Sequence, residues 1–463
     1  MPLARLVVGA VAPLLTVAVA LGATPAERRA DLEAAASALW DTHPYLSREV
    51  DRADWNEALG AIEASLDEID DAGFFLAISR LCAMAHDGHT SVVPGRVAFM
   101  GVSYPVRFRM AQDGLVVMDA APEYAASVGG RVVSLYDTPV EELFASLADD
   151  FPGDNPIAGA GWTEIFIRFP IVMRAAGFAP GDDLGTTMVV ETATGEERSF
   201  ALAPSPPGDP RVFGPAPEGW TTIRDAWPEP PRAESRPGER HWFAAIDDGR
   251  ALYVRYAEVQ DDDDETIAQF AERLWAFAAE DQSIERIVFD VRGNGGGNNY
   301  LNQPLILGLV RSRFDEPGRS FCLIDRDTFS AAMNFVGELE RLTHTIFVGE
   351  PTGAGPNHAG DNESFALEHS GLTLRVSQLW WQFSDPRDPR RWVRPDIAAP
   401  LTIADWRTAH DPGLEAIRAV GEVPAHLTGQ PVGRWRRLTQ RREWQGMVGG
   451  FQGAWHPGAP VTQ

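Results

Sequence analysis

The sequence predicts an α/β protein: a largely parallel αβ core preceded by an N-terminal helical domain and a β-rich module. Three observations carry this. Residues 26–86 place apolar side chains at helical spacing, residues 101–202 switch to short alternating runs, and beyond residue 240 strand and helix patterns alternate. Units of the last kind build parallel sheets through right-handed crossovers, and sites in such sheets gather at C-terminal strand ends.

Taken in order, residues 1–23 carry one early charge at Arg5 and an uncharged run from Leu6 to Leu21, ending in small residues. The run is short for a membrane span and contains Pro13, so it reads as a signal peptide cleaved near Ala23. Export to a periplasmic or extracellular space, without stable membrane insertion after cleavage, is the expectation. Residues 24–98 form the helical domain, with "ADLEAAASALWDTH" and "FFLAISRLCAMAH" showing one apolar face. In residues 99–203 the runs "YPVRFRM", "GLVVMDA", "GRVVSLY" and "TTMVVETATGEERSFAL" read as strands and hairpins. A Gly, Pro and Asp-rich insertion at 149–185, with one apolar stretch "TEIFIRFPIVM", interrupts them.

Residues 204–240 are too rich in proline to pack as regular structure and read as a linker. Residues 241–402 carry the αβ rhythm: "ALYVRYA", "ETIAQFAERLWAFAAED", "IERIVFDV", "YLNQPLILGLVR", "SFCLID", "SAAMNFVGELERL" and "TIFVGE". The acidic run Asp261–Asp264 reads as a solvated helix N-terminus, where carboxylates oppose the dipole. Residues 403–463 hold one helix, "DPGLEAIRAVG", followed by an Arg/Trp-rich tail read as solvated.

Composition narrows the chemistry. Acidic side chains outnumber basic ones, 66 to 40, for a net charge of -26, which argues against a nucleic-acid partner. Two cysteines, Cys82 and Cys322, imply no disulfide framework and read as core packing, with a single bridge left open. The chain contains no lysine, so every basic side chain is an arginine.

There is no G-x-S-x-G elbow, H-E-x-x-H helix, Walker loop or C-x-x-C pair, and "GNGGGN" does not fit a dinucleotide fingerprint. Three segments nevertheless share one position, the end of an apolar strand: "IVFDVRGNGGGNNY", "CLIDRDTFSAAMNF" and "FVGEPTGAGPNHAGDNESF". Ser330, where a strand gives way to a helix, is by default an N-cap. The Ala331 N–H beside it and the unshielded amides of the glycine turn could together hold the oxygen of a tetrahedral acyl intermediate, a task worth roughly 2.7–4 kcal/mol per donor.

A serine nucleophile needs a base, and the absence of lysine leaves histidine. His89 in "AMAHDGHTSV" is the candidate, against a bland reading as a hydrogen-bonded turn residue. His86 and His89 could instead ligate a metal, but no third ligand is evident, so no metal and no organic cofactor is expected.

The motifs "DGHT" (87–90), "FDVRGNGGG" (289–297), "DTFSAAMNF" (327–335), "VGEPTGAGPN" (348–357) and "RPDI" (394–397) resemble, in order, those of peptidase family S41. That family includes C-terminal processing proteases, the tricorn core protease and retinoid-binding repeats. The resemblance covers most of residues 30–400 and implies an S41-type, crotonase-like αβ core. It further implies Ser330 as nucleophile, with oxyanion donors from Ala331 and from Gly295 or Gly296. The lysine of the processing branch would fall near Ala354 or Gly355, so that mechanism is excluded here. In the tricorn-like branch a histidine stands where His89 does, and the acid comes late, within "WWQFSDPRDPRRWVRPDI". Asp388 is the preferred candidate and Asp385 the next, each against a surface ion pair with Arg387, Arg390 or Arg391; Glu363 is a third.

Residues 99–203 look like a PDZ-like module, a class that can hold a peptide terminus by strand addition. The expected function is an exported serine hydrolase, a peptidase acting on a peptide or protein substrate through an acyl-enzyme on Ser330. The alternatives are a non-catalytic carrier of an apolar ligand or peptide, and an esterase. Geometry discriminates: an enzyme places Ser330 within hydrogen-bond reach of His89, whereas a gap beyond about 6 Å favours the carrier.

Overall fold

The computed structural model describes residues 22–94, 101–178, 180–181, 183–204 and 214–420. The segment read as a signal peptide, as far as residue 21, residues 205–213 at the start of the Pro-rich stretch and the Arg/Trp tail lie outside the described residues.

The helical layer comprises α1 (Pro25–Thr42), a short α2 (Leu46–Glu49), α3 (Arg52–Ser65) and α4 (Asp71–Ala83). The start of α1 is written in the sequence: Thr24 and Glu27 form a reciprocal capping box, and Pro25 supplies a preset φ in the first turn. Asp70 accepts the Gly73 N–H and caps α4. Leu32, Leu39, Trp55, Phe74, Phe75, Ile78 and Cys82 pack into one core. After α4 the chain turns through His86, with φ +48°, and runs through Asp87 and His89 into β1 (Ser91–Val93).

The β-rich region builds a twisted antiparallel sheet from β2 (Val106–Ala111), β3 (Gly114–Ala120), β4 (Arg131–Leu135), β5 (Thr138–Pro139), β6 (Thr186–Glu191), β7 (Glu197–Leu202) and β8 (Thr221–Thr222), with α5 (Val140–Ser146) beside it. The insertion within it is helical, forming α6 (Pro156–Phe166) and α7 (Pro170–Ala175). Its apolar stretch "TEIFIRFPIVM" serves two cores: Phe166, Phe169 and Val172 join the helical layer, while Ile167 and Met173 join the sheet. Glu164 accepts the Met110 N–H at 3.0 Å and ties the insertion to β2.

The third layer follows the strand–helix rhythm: β9 (His241–Ile246), β10 (Ala251–Tyr256), α8 (Ile267–Glu280), β11 (Arg286–Asp290), α9 (Gln303–Arg311), β12 (Ser320–Ile324), α10 (Ala331–Leu342) and β13 (Ile346–Gly349). Thr266 and Gln269 box the start of α8, and Asp261 accepts the Ile267 N–H at 2.7 Å, so the acidic run does sit at a helix N-terminus. Beyond β13 come the long hairpin β14 (Asn357–Leu367) and β15 (Leu372–Gln382), then β16 (Ile397–Ala398), α11 (Ile403–Thr408) and α12 (Pro412–Ala419).

The sheet order is β16-β13-β12-β11-β10-β9, parallel except for the edge strand β9. Leu252, Val254, Ile287, Phe289 and Cys322 lie beneath α8–α10, while Tyr253, Val288, Phe321 and Leu323 meet Leu414 and Ile417 of α12. Burial on both faces is why these strands read as continuous apolar runs. Cys82 and Cys322 are both buried and free, in different cores. No helix among the described residues is long and apolar enough to cross a membrane.

The β14–β15 hairpin leaves the αβ layer and pairs with β1, with Ser91 opposite Arg375. Sequence patterning does not announce it, because Asp361, Asn362, Glu363 and Ser364 are all exposed and break the alternation. This pairing anchors the turn that carries His89 to the αβ core.

Helices α8 and α9 pack with the Trp275 indole against bare Gly308, where an added Cβ would fall 1.8 Å from Trp275 Nε1. Gly308→Ala is expected to lower unfolding free energy by about 1–3 kcal/mol through overpacking, measured by urea denaturation.

Candidate active site

Neighbouring strands β11, β12 and β13 end side by side, and their loops are stitched together. The Asp325 carboxylate accepts the Gly293 N–H at 3.0 and 3.1 Å, and the Phe329 N–H donates to Asn294 O at 3.0 Å. Thr328 Oγ1 donates to Val291 O at 3.1 Å, and the Gly353 N–H to Thr328 O at 3.2 Å. The glycines of the turn answer to two close approaches. At Gly296, with φ +110°, a Cβ would lie 2.5 Å from Ser330 Cβ and 3.0 Å from its Oγ. At Gly297, with φ +137°, a Cβ would lie 2.2 Å from Val259 O.

Ser330 does not cap α10 with its side chain, contrary to the default reading of a serine at a helix start. Its backbone stands at φ +53° and ψ -126°, a sparsely populated conformation that costs on the order of 1–3 kcal/mol. The strain turns the hydroxyl away from the helix, toward an imidazole. The Ala331 N–H, at the positive end of α10, has no hydrogen-bond partner among the described residues. Of the two glycines expected to donate, Gly296 is already committed: its N–H bonds Asn294 Oδ1 at 2.9 Å, which in turn is held by Asn294 Nδ2 on Tyr256 O. Gly295 is exposed and its N–H is unengaged among the described residues.

His89 Nε2 lies 2.9 Å from Ser330 Oγ. The imidazole stacks on Phe329, with centroids 4.3 Å apart, and the His89 backbone carbonyl accepts from Asn362 Nδ2 of the hairpin at 3.2 Å. Its other nitrogen, Nδ1, is shielded from solvent and faces Asp87 Oδ1 at 3.7 Å, beyond hydrogen-bond length. The fully buried Asp87 takes the His89 N–H at 2.9 Å, Thr90 Oγ1 at 2.6 Å and His43 Nε2 at 3.2 Å. Asp154, from the insertion, accepts the Gly88 N–H at 2.9 Å, and its carboxylate, that of Asp87 and His89 offer atoms within 4.8 Å of one another. A trio of this kind can also hold a cation; His86, exposed, is not part of it.

The charges follow from this packing. Burial works against an ionised Asp87, but His43 and His89 outweigh it and hold the carboxyl well below the usual range. Burial and the Asp87 charge push Asp154 up to about 7. For His89, burial disfavours the imidazolium, yet Asp87, Asp154 and Asp361 together raise it above the ordinary imidazole value. His358, parallel to His89 at 5.9 Å and bonded through Nδ1 to Gly355 O, is lowered to about 4 by burial and by that neighbour.

The acids expected from the late segment do not reach the imidazole. Asp388 binds Ser384 Oγ at 2.5 Å and Arg390, which also grips Glu340 of α10, and Asp385 pairs with exposed Arg387. Glu363 is exposed on β14. The carboxylate beside His89 is Asp87, two residues away inside "DGHT", and the spacing was the available signal. Asp154 and His43 carry no sequence signal of their own.

The layout is that of a serine hydrolase site on an αβ core. In fold the chain matches a serine-to-alanine mutant of CPAF at 14% identity, with a TM-score of 0.59, over 86% of this chain and 99% of that one. It likewise matches mature CPAF complexed with lactacystin at 13% identity and a TM-score of 0.57, over 85% and 97%. A photosystem II D1 C-terminal processing protease aligns at 15% identity over 88% and 99%, with a TM-score of 0.38. The two CPAF matches show that the chain shares the CPAF fold, an αβ core of the kind its motifs predict. No family model and no curated protein matches the sequence.

Asp154 makes one further property measurable. Its folded value, about 7, lies above the roughly 3.9 of an unfolded aspartate, so between those values the folded state holds a proton that the unfolded state releases. Stability from this group therefore falls as pH rises through that window. Asp154→Asn is expected to melt increasingly above the parent as pH rises from 5 to 8, which thermal unfolding at both pH values checks.

Proposed function

We propose that the protein is an exported serine peptidase in which Ser330 attacks, His89 is general base and then acid, and Asp87 orients the imidazole. The observation that carries this reading is the 2.9 Å contact of His89 Nε2 with Ser330 Oγ beside the unpaired Ala331 N–H. That distance lies inside catalytic range and well short of the gap of about 6 Å that would favour a carrier. Export rests on the composition of residues 1–23.

In the first step Ser330 Oγ bonds to the carbonyl carbon while its proton passes to His89 Nε2. Negative charge develops on the carbonyl oxygen, and the Ala331 and Gly295 N–H groups, both unengaged among the described residues, are the donors assigned to it. His89 then gives its proton to the leaving amine as the C–N bond breaks, leaving an acyl group on Ser330 and a neutral imidazole. Water, losing a proton to His89, attacks the acyl carbon, and His89 returns that proton to Ser330 Oγ as the C–Oγ bond breaks and the acid leaves. Asp87 keeps its negative charge throughout; from 3.7 Å it favours the tautomer with Nδ1 protonated and stabilises the imidazolium electrostatically.

A fluorophosphonate probe is expected to modify Ser330, identified by mass spectrometry, and Ser330→Ala to abolish labelling with little change in melting temperature. Equal labelling of the variant would remove Ser330 as nucleophile. Hydrolysis of peptides but not of small esters separates a peptidase from an esterase.

The base must be neutral to accept a proton, so the raised His89 value places the acid limb of kcat/KM above the roughly 6.5 of an ordinary imidazole. Asp87→Asn is expected to move that limb to lower pH and to reduce kcat by roughly 10³–10⁴-fold. A pH–rate profile of the variant measures both.

A further inference from the structure

We infer that Tyr300 and Trp381 form an aromatic clamp that selects peptides carrying a large apolar side chain beside the scissile bond. The inference rests on the peptidase reading and adds to it a substrate class. The two rings come from different segments beside the site. Tyr300 follows the glycine turn, and Trp381 belongs to the β14–β15 hairpin. They meet edge to face, with centroids 6.4 Å apart and planes at 78°.

Each ring is tied to a reacting group by its backbone. Tyr300 is 75% exposed, yet the short 3₁₀ turn that holds it is fixed: Asn298 Oδ1 takes the Tyr300 N–H at 3.2 Å, and Asn302 bonds Ala331 O at 2.9 Å and Tyr256 OH at 2.9 Å. A fixed backbone under a solvent-facing ring presents apolar surface at low entropic cost on binding. Trp381 stands opposite His358 in the hairpin and covers Gly360, where an added Cβ would lie 3.1 Å from the indole and 3.8 Å from His89 Cε1. Phe383 lies behind the indole at 6.4 Å and packs against Gly337 of α10. Tyr300, Trp381 and Phe383 thus make one contiguous aromatic row whose middle ring, Trp381, adjoins the His89 imidazole across Gly360.

The charge around the row defines what it refuses. Asp361 and Glu363 are exposed on the same hairpin, Asp361 acts on His89 electrostatically, and the chain carries a net charge of -26. An acidic side chain beside the clamp would meet like charge, whereas Phe or Leu lays apolar surface against the two rings. Alanine covers little of them.

The test uses the full chain with internally quenched peptides that differ only in Phe, Ala or Glu at one position beside the cleaved bond. The parent is expected to favour Phe over Ala by roughly tenfold or more in kcat/KM, and to use Glu least. Tyr300→Ala and Trp381→Ala are each expected to shrink the Phe-to-Ala ratio several-fold. A parent indifferent to the replacement, or variants that keep its ratio, would overturn the clamp. Fluorescence anisotropy with labelled Phe and Ala peptides on Ser330→Ala reads the same preference without chemistry, and equal affinities there would overturn it too. Failure of the probe to label Ser330, with the binding preference intact, would overturn the peptidase reading alone.

Discussion

One contact constrains the whole architecture: His89 Nε2 reaches Ser330 Oγ across 241 positions of chain. An imidazole on a turn after α4 and a hydroxyl at the end of β12 meet only if the helical layer and the αβ layer hold a fixed register. Several polar ties enforce it. β1 pairs with β15, and Asn362 holds the His89 carbonyl. Asn155 caps α6 with its oxygen while its nitrogen donates to Thr352 O at 3.2 Å and Arg391 O at 2.9 Å. Asp31 of α1 accepts the backbone N–H groups of His369 and Ser370 at the hairpin tip. Each such bond contributes about 0.5–1.5 kcal/mol net, so their value lies less in stability than in fixing a distance to a fraction of an ångström.

The buried carboxyls beside the imidazole differ in state because they differ in donors. Asp87 has the His89 N–H, the Thr90 hydroxyl and His43 around it, enough to keep a charge away from water. Asp154 has the Gly88 N–H and a charged neighbour, and it takes a proton more readily. Two like groups pushed apart in this way give one permanent anion beside the imidazole and one near-neutral group that limits the repulsion. The insertion is thus part of the site: its helices fill two cores, and its first turn delivers Asp154.

How much of this the sequence disclosed depends on whether a residue's role was local. Ser330, His89 and the glycine turn stand at the ends of apolar strands or in short turns, and backbone chemistry there restricts what each can be. The acid did not yield to the same reasoning. Asp388 was placed by counting through a Pro-rich turn, and only the fold reveals that Arg390 occupies it. Asp87 was in view inside "DGHT", but its relevance comes from folding back over the His89 amide, a tertiary fact. The hairpin carrying Trp381 was illegible for a related reason: its pairing partner, β1, lies over 270 residues upstream, and its exposed middle has no apolar rhythm.

The same turn explains why a histidine from a distant layer is needed at all. A lysine near residues 354–355 would be a local base, but there is no room for one. Ala354 is fully buried in the αβ core, and a Cβ on Gly355 would lie 2.3 Å from Arg390 O. That carbonyl is held in place because Arg390 grips Asp388 and Glu340 of α10 at once. Asp388 thus acts at one remove: by fixing Arg390 it closes the space a lysine would fill, and in the proposed mechanism the proton acceptor comes from the helical layer. A base imported this way makes chemistry conditional on the docking of two cores, which is the constraint the hairpin and the insertion are built to satisfy.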